Sequence, residues 1–514
     1  MTKITLNQFA LTTAIIFILT FGRAAATSDN PQDSVGWFNK GLALDHSNKS
    51  NEAIKAYDKA IEINPQDSDA WTGKGLALDN LNKYDEAIKA FDKAIEIDPQ
   101  DSYAWDGKGI ALGELGKYDG AIKAFDKAIE IDSHGSLGWT FKGKALNKLN
   151  KSDEAITAFE KAIEINPHNS YAWSNKGAAL AQLNKSDEAI KAYDKAIEIN
   201  SHNSLAWNNK GVVLYKSNKY DDAITAYDKA IEINPQYSHA WYNKAVALYK
   251  SNKYDDAIKA YDKAIEINPQ DSEAWSNKGA ALAQLNKFDE AIKAYDKVIE
   301  FNPQSSDAWS NKGAALGNLN KLDESIKAFD KAIEINPQNS NGWECKGLAL
   351  TKLNRSDEAL KANDKAIEID PQNPIALDYK GLALIGLNRS EEAIAAFDKA
   401  IEINPQNSDA WDGKGVVLAK LGKSDESIKA YDKATNINSQ DSKAWYGKGA
   451  VLGLSGKYDE SIKAFDKAIE IDPQDSMALD CKKRVLNKLS KSDESIKAYE
   501  KVIKINPQLR NLAQ

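Results

Sequence analysis

The chain has 514 residues, of which 42% are hydrophobic and 28% charged, and its formal net charge is −8. Lysines alternate with aspartates and glutamates, so there is no concentrated basic surface of the kind that phosphate binding requires, and we expect no nucleic-acid partner. The two cysteines, Cys345 and Cys481, are too few for a disulfide framework or a zinc–cysteine cluster.

The first 26 residues differ in composition from the rest of the chain. Lys3 precedes an uncharged apolar run, and three alanines, Ala24 to Ala26, end the segment. This order predicts a secretory signal peptide over residues 1–26. An uncleaved membrane anchor is the alternative, because residues 4–22 carry no charge and are just long enough to span a bilayer. We therefore expect a secreted or envelope-associated protein, with no membrane contact beyond such an anchor.

Tryptophan recurs at a fixed interval of 34 residues. All twelve tryptophans lie on one grid, and two leucines occupy the remaining grid points: Trp37, Trp71, Trp105, Trp139, Trp173, Trp207, Trp241, Trp275, Trp309, Trp343, Leu377, Trp411, Trp445 and Leu479. Fourteen units therefore fill residues 34–509 without insertion or deletion, with a short lead-in over 27–33 and a tail over 510–514. A period of this length indicates a helical repeat.

Each unit predicts two helices joined by a turn. In the second unit, apolar residues recur at helical spacing from Trp71 until the turn-forming pair Asn82-Lys83. A second apolar stripe around Phe91 ends at Pro99, which cannot continue the hydrogen-bond ladder of a helix. Ser68, three residues before the tryptophan, is expected to be the N-cap, because its hydroxyl can accept a hydrogen bond from the first turn.

These residues resemble the tetratricopeptide repeat (TPR) family, whose pattern places Trp, Gly, Ala, an aromatic residue and Pro at fixed positions. In the second unit they are Trp71, Gly75, Ala87, Phe91 and Pro99. The resemblance implies an all-α, right-handed superhelical solenoid of 14 helix-turn-helix repeats, with 28 helices. It also implies a non-catalytic scaffold that binds proteins through a concave groove lined by the first helices.

One departure from the family pattern recurs in every unit. Three residues after the tryptophan place stands a lysine, where the family usually has leucine. Stacked like charges about 10 Å apart repel each other unless acids lie between them. The second helix supplies an acid directly after its aromatic residue, as in Asp58 and Asp92. We predict that each lysine pairs with such an acid; a ladder of ligand-binding lysines is the alternative.

The sequence predicts no enzyme, no metal site and no cofactor. A solenoid whose units contact only their neighbours offers grooves instead of the closed pocket that catalysis needs. His134, His168 and His202 occupy equivalent turn positions in consecutive units. Equivalent atoms of stacked units lie about 10 Å apart, whereas zinc requires its nitrogen ligands at about 2 Å, so these histidines are not expected to share a metal.

Asparagines and tyrosines on the first helices predict a peptide-binding site. Five consecutive units carry asparagine two residues after the tryptophan: Asn175, Asn209, Asn243, Asn277 and Asn311. Such a row can pair with the backbone of an extended peptide, because each amide offers both a donor and an acceptor. The resemblance supports this prediction, since superhelical arrays of the family use asparagine ladders. The alternative is that asparagine is only a common residue at this place.

Three tyrosines on the first helices of the same region extend the predicted site. Tyr215, Tyr242 and Tyr249 would supply large amphipathic contact areas at low entropic cost. The expected partner is a protein or an extended peptide. Acidic residues on later first helices make a cationic partner one expectation: Glu273, Asp307, Glu344, Asp378, Asp409 and Asp412.

A second hypothesis of a different class is a structural spacer that self-associates end to end. Isolated solenoids need polar caps at both ends. The first unit instead keeps the apolar residues Val35, Phe38 and Leu42. A polar cap is therefore missing from the sequence of this end, and envelope assembly through open ends remains the alternative function.

Overall fold

The structure, a computed structural model, describes residues 32–489. These residues form 27 α-helices and contain no β-strand. The all-α solenoid of helix-turn-helix repeats expected from the sequence is therefore confirmed. The segments predicted for residues 1–26 and 510–514 lie outside the described residues, and so does the second helix of the fourteenth repeat.

Odd-numbered helices are the first helices of the repeats, and even-numbered helices are the second. The first helices are α1 (Ser34–His46), α3 (Ser68–Asn80), α5 (Ser102–Glu114), α7 (Ser136–Lys148), α9 (Ser170–Gln182), α11 (Ser204–Lys216), α13 (Ser238–Lys250), α15 (Ser272–Gln284), α17 (Ser306–Asn318), α19 (Ser340–Lys352), α21 (Pro374–Gly386), α23 (Ser408–Lys420), α25 (Ser442–Leu454) and α27 (Ser476–Lys488). The second helices are α2 (Ser50–Ile63), α4 (Tyr84–Ile97), α6 (Tyr118–Ile131), α8 (Ser152–Ile165), α10 (Ser186–Ile199), α12 (Tyr220–Ile233), α14 (Tyr254–Ile267), α16 (Phe288–Phe301), α18 (Leu322–Ile335), α20 (Ser356–Ile369), α22 (Ser390–Ile403), α24 (Ser424–Ile437) and α26 (Tyr458–Ile471).

The chain divides into two compact units, with the boundary in the sequence between Ile267 and Asn268. The first unit contains α1–α14 and the second contains α15–α27. Within each unit, every helix packs against the next helix in sequence, and the first helices of successive repeats also contact each other. Successive second helices in the described part of the chain make no comparable contact. The first helices therefore form the inner layer of each array.

The N-cap of the first helices lies one residue before the serine. Ser68 is already helical, and the carboxylate of the preceding Asp67 accepts a hydrogen bond from the Ala70 N–H at 3.3 Å. In the first repeat, the Ser34 hydroxyl instead donates to the Ala60 carbonyl of the second helix at 3.1 Å. The prediction that serine is the N-cap was wrong. An Asp or Asn one residue earlier usually takes this role, because its side chain reaches a free N–H group in the first turn of the helix.

The turn between the two helices of a repeat depends on a left-handed residue. Asn82 has φ of 59°, and the Lys83 N–H donates to the Leu78 carbonyl at 3.0 Å. Gly116 takes the same place in the third repeat with φ of 73°. Asparagine and glycine tolerate this conformation better than other residues, which explains why the predicted Asn-Lys and Gly-Lys turns are confirmed.

The aromatic residue that most second helices carry packs across the junction between two repeats, as Phe91 shows. The Phe91 side chain is fully buried. A Cβ atom added at Gly75 of the same repeat would lie 2.6 Å from the Phe91 ring, and one added at Gly107 of the next repeat would lie 2.5 Å from it. One ring thus fills the space left by glycines on two successive first helices.

The repeated lysine is paired as the sequence predicted. Lys74 Nζ lies 2.7 Å from Asp58 Oδ1 of the preceding repeat and 5.2 Å from the centre of the Trp71 ring. The Trp71 indole N–H donates to the Pro65 carbonyl of the preceding turn at 3.1 Å. In this repeat the tryptophan hydrogen bond and the lysine ion pair connect to the repeat before, whereas the cation–π contact holds together two side chains of the same helix.

The open end of the first repeat is less apolar than its sequence suggested. Phe38 and Leu42 are buried in a cluster with Ala53 and Tyr57. Val35 is exposed. Self-association through this end stays a prediction from the sequence alone.

Two glycine substitutions in the first unit are expected to change stability in opposite directions. Ala in place of Gly75 should destabilise the second repeat by about 1–3 kcal/mol, because the new methyl group overlaps the rigid Phe91 ring. Gly113 on α5 has no atom within 4 Å of the added methyl. Gly113→Ala should therefore stabilise its helix by about 0.5–1 kcal/mol. Hydrogen exchange of α3–α6 measures both effects, and equal effects of the two changes would contradict the packing described for Phe91.

Candidate functional site

The candidate site is the variable side of the first helices, whose residues range from buried to exposed. Counted from the tryptophan place, it consists of the residues one, two, five, eight and nine positions later, and we call it the first-helix face. These positions share one side of a helix because of its 3.6-residue period. Their residues differ from repeat to repeat, whereas the tryptophan, lysine and small core positions repeat with little change.

In the first unit, the predicted asparagines are half-buried and hydrogen-bonded. Asn243 Nδ2 donates to Asn208 Oδ1 at 3.0 Å, and Asn208 Nδ2 donates to Asn209 Oδ1 at 3.3 Å. Asn175 Nδ2 donates to the Tyr171 carbonyl of its own helix at 2.8 Å. The amides of two successive repeats are therefore linked through Asn208, which sequence reasoning missed, while Asn175 bonds within its own helix.

The other two predicted asparagines belong to the second unit. Asn277 lies on α15 and Asn311 on α17, and both are half-buried. All five asparagines occupy the place that is Gly107 in the third repeat, next to the aromatic residue of the preceding second helix. This position explains why they are half-buried instead of fully exposed.

The three predicted tyrosines lie close together at the end of the first unit. Tyr215 packs on Tyr220 with ring centres 5.5 Å apart, and Tyr249 packs on Tyr254 at 5.3 Å. Tyr242 contacts Tyr261 edge-on at 6.0 Å. Burial raises the pKa of the Tyr261 hydroxyl, and the three predicted tyrosines raise it further. Tyr242 therefore packs on a buried ring, and the three half-buried tyrosines leave aromatic surface on the first helices that carry the linked asparagines.

The acidic set on the first helices of the second unit divides into two groups. Glu273, Asp307 and Asp409 are exposed. The others are less accessible: Asn373 donates to Glu344 at 2.7 Å and Asn407 donates to Asp378 at 2.5 Å, while Asp412 is half-buried. Burial raises the pKa of Asp378 and of Asp412 to about 7. A cationic partner could therefore contact three of the six predicted acids as exposed carboxylates.

A charged cavity in the first unit was missed from the sequence. Lys144 Nζ lies 3.2 Å from Glu114 Oε1 and 5.8 Å from the centre of the Phe141 ring. These side chains line a cavity of about 270 Å³, which also has Gly113 and Lys148 in its wall. Phe141 is the one phenylalanine at its repeat position, and Lys144 stands where most repeats have an aliphatic residue, so this coincidence was the available signal.

Asp79 lies next to this charged cluster and carries a perturbed carboxyl group. The residue is buried, and its Oδ1 has no hydrogen-bond partner. Burial, followed by the charge of Glu114, raises the pKa of Asp79 and Lys144 opposes the shift, so that the resulting pKa is about 7. The carboxyl is therefore largely protonated below neutral pH in the folded state.

The cysteines and histidines do not form a reactive centre in the part of the chain that the structure describes. Cys345 and Cys481 are free, and burial followed by the charge of Glu344 raises the pKa of Cys345 to about 12. Its thiol is therefore protonated at neutral pH and weakly nucleophilic. His134, His168 and His202 are exposed at turns, and no group of three or more potential ligands within residues 32–489 could hold a metal ion.

Family models match repeats along most of the described chain. A tetratricopeptide repeat model matches residues 34–67, 68–101, 136–169, 170–203, 204–237 and 442–475, and two further models of the same repeat match residues 90–123 and 484–509. The chain belongs to the tetratricopeptide repeat family. Residues 237–445 also match a model described as the cilia and flagella-associated protein 70 C-terminal domain. A search of curated proteins found no match.

Solved structures similar to this TPR protein include three other helical-repeat proteins. The anaphase-promoting-complex hetero-tetramer Cut9-Hcn1 is 16% identical, with 92% of this chain and 99% of that chain covered and a TM-score of 0.43. Yeast Tom70 is 18% identical, with coverage of 79% and 92% and a TM-score of 0.37. YrrB, described as a TPR protein with an unusual peptide-binding site, is 28% identical, with coverage of 37% and 98% and a TM-score of 0.35.

None of the helices within residues 32–489 is both long and apolar enough to cross a bilayer. The predicted signal peptide or anchor lies outside these residues. Secretion or envelope attachment therefore stays a prediction from the sequence.

The pKa of Asp79 predicts a local dependence of stability on pH. Its folded-state pKa is raised from 3.8 to about 7, so its stabilising contribution is complete below pH 4 and is lost as the pH rises through 7. The free energy of opening that hydrogen exchange measures in α3–α5 should fall by on the order of 1–3 kcal/mol between pH 5 and pH 8. Asp79→Asn should remove this share of the pH dependence, whereas exposed Glu86→Gln should leave it unchanged. An unaltered profile in the Asp79 variant would refute the assignment.

Proposed function

We propose that this TPR protein is an exported, non-catalytic scaffold that binds proteins or extended peptides through its first-helix face. Its family mediates protein–protein interactions, which supports binding as the general role. The observation that carries the finer proposal is the linked amide pair of Asn209 and Asn243, joined through Asn208 beside three half-buried tyrosines.

The chemistry of these amides suits an extended backbone. An asparagine side chain has two donor hydrogens and an acceptor oxygen with two lone pairs, so one internal hydrogen bond leaves capacity for another partner. The internal bonds between Asn208 and its neighbours hold the amides in place before binding, which lowers the entropic cost of association. A peptide backbone along the first helices would pair with the amides, and its side chains would contact Tyr215, Tyr242 and Tyr249.

Export is proposed from the N-terminal sequence. A positive residue, a short apolar run and three alanines support removal of residues 1–26. The intact mass of the protein recovered from the medium or the cell envelope tests this step. A mass that includes residues 1–26 would favour the membrane anchor, and retention in the cytoplasm would refute export.

A cationic partner segment is a further part of the proposal for the second unit. The exposed carboxylates Glu273, Asp307 and Asp409 supply negative charge on first helices. Attraction between exposed charges is screened by salt, so this part of the binding energy should weaken as ionic strength rises.

Joint substitution of the asparagines of the first unit tests the amide contribution. We expect Asn175, Asn209 and Asn243 together changed to Ala to lower affinity by about one to three orders of magnitude, since each amide contributes about 0.5–1.5 kcal/mol. The ligand is the protein or peptide captured from source cells by immobilised residues 27–514. Titration calorimetry measures the affinity, and circular dichroism checks that helicity is retained.

A matched control changes an exposed position on the second helix directly before each substituted first helix. Thr157, Lys191 and Thr225 together changed to Ala should leave affinity unchanged, because these side chains lie away from the first-helix face. Changing both Tyr215 and Tyr249 to Ala should change which peptides bind best more than it lowers the affinity for all peptides alike. Parent-like affinity of the asparagine variant would mean that the partner docks elsewhere.

A further inference from the structure

Polar side chains pair across several junctions between consecutive repeats. The residue after the tryptophan place bonds to the N-cap residue of the next first helix, 29 positions later: Thr72 with Asp101, Thr140 with Asn169, Ser310 with Asn339, Glu344 with Asn373 and Asp378 with Asn407. The same N-cap side chain accepts a hydrogen bond from the helix it begins. At an asparagine N-cap, the carboxamide therefore donates to one repeat and accepts from the next.

The junction between α5 and α7 lacks this side chain. Asp106 is the residue after the tryptophan, and the N-cap 29 positions later is Gly135. Helix α7 consequently has no side-chain cap. Asp106 is only 8% exposed, and its Oδ1 has no hydrogen-bond partner. The Asp106 carboxyl and the first turn of α7 therefore lack the group that joins them at other junctions.

A cavity occupies the place of the missing side chain. It has a volume of about 210 Å³ and is lined by Tyr103, Asp106, Asp132, Gly135 and Gly138 among others. A Cβ atom added at Gly138 would lie 3.1 Å from Asp106 Oδ1, which locates this oxygen beside the first turn of α7. The volume is several times the share of one liquid water, about 30 Å³, and His134 and Asp132 at the rim are exposed.

We propose that this cavity, the α5–α7 pocket, binds a primary carboxamide, supplied by an asparagine or glutamine side chain of a bound protein segment. The carboxamide NH2 donates to Asp106 Oδ1, as Asn373 donates to Glu344 and Asn407 to Asp378. The carboxamide oxygen accepts from the Gly138 N–H, as the N-cap oxygens of other first helices accept from the residue three positions on. The protein source of the carboxamide rests on the proposed scaffold function, whereas the pocket does not.

Other ligand classes satisfy only half of the pocket. A carboxylate could accept from α7 but would meet the acidic groups Asp106, Asp101 and Asp132. An ammonium could donate to Asp106 but would lie at the positive end of a helix dipole and would leave the Gly138 N–H unpaired. A neutral primary amide matches both, because its NH2 donor and its oxygen acceptor are bonded to the same carbon.

The test uses three small probes of similar shape and the full mature chain, residues 27–514. Propanamide, propanoate and propylammonium are titrated by saturation-transfer difference NMR at pH 7. We expect propanamide to bind saturably in the millimolar range, as suits a ligand of five heavy atoms. The other two probes should give at least tenfold weaker signals. A signal from propylammonium equal to or stronger than that from propanamide would overturn the carboxamide assignment.

Two variants fill or remove the pocket, and one serves as control. Gly135→Asn supplies the missing carboxamide within the chain and should abolish propanamide binding. Asp106→Val removes the acceptor and should do the same, so the conclusion does not depend on the folding of one variant. Gly120→Asn places the same side chain on α6, outside the residues that line the pocket, and should bind propanamide like the parent. Binding to all three variants alike would refute the site.

The partner captured by the mature chain distinguishes the pocket from the scaffold function. If the carboxamide comes from that partner, Gly135→Asn should lower its affinity at least tenfold. Equal affinity for the parent and the variant would refute this source even if propanamide binds. Specific propanamide binding without any captured protein would support the pocket and contradict the proposed scaffold function.

Discussion

The repeat array depends on one aromatic side chain per junction. Phe91 occupies the space left by Gly75 on its own first helix and by Gly107 on the next. The ring sets how closely two repeats can pack, so the facing positions must stay small or must match the ring. In the tenth repeat, the fully buried Asn363 stands in place of the ring. The next first helix then carries the large residue Tyr379 at the position that is Gly107 in the third repeat. The same place holds the asparagines of the candidate site, so packing and recognition share a position.

The repeated lysine–acid pairs between repeats use positions outside the first-helix face. In most repeats the lysine pairs with an acid of the preceding second helix, and where a tryptophan is present the lysine also covers its ring, as Lys74 does with Asp58 and Trp71. Because these pairs are partly exposed, each adds little to the free energy of folding, but the pattern prevents fourteen stacked lysines from repelling one another. The first helices can then carry different charges in different repeats, from Lys144 with Glu114 to the exposed acids of the second unit.

The sequence predicted the features that repeat and missed those that depend on one junction. The helix pairs, the turn at Asn82 and the pairing of Lys74 follow from a 34-residue register. The N-cap was misplaced because Asp67 and Ser68 are both good capping residues and spacing alone does not separate them. The buried state of Asp79 and the unpaired Asp106 Oδ1 depend on neighbours about 30 residues away. Sequence identified the asparagines but not the hydrogen bonds through Asn208, because those require the distance between adjacent first helices.

Site-specific photo-crosslinking tests most directly whether partners bind the first-helix face. A benzophenone amino acid is placed at Val246, on first helix α13, or at exposed Thr225, on second helix α12 of the preceding repeat. Each variant of residues 27–514 is irradiated with the partner that the parent chain captures from source cells. We expect crosslinks from position 246 and few or none from position 225. Efficient crosslinking at 225 with none at 246 would contradict this expectation and would place recognition on the second helices.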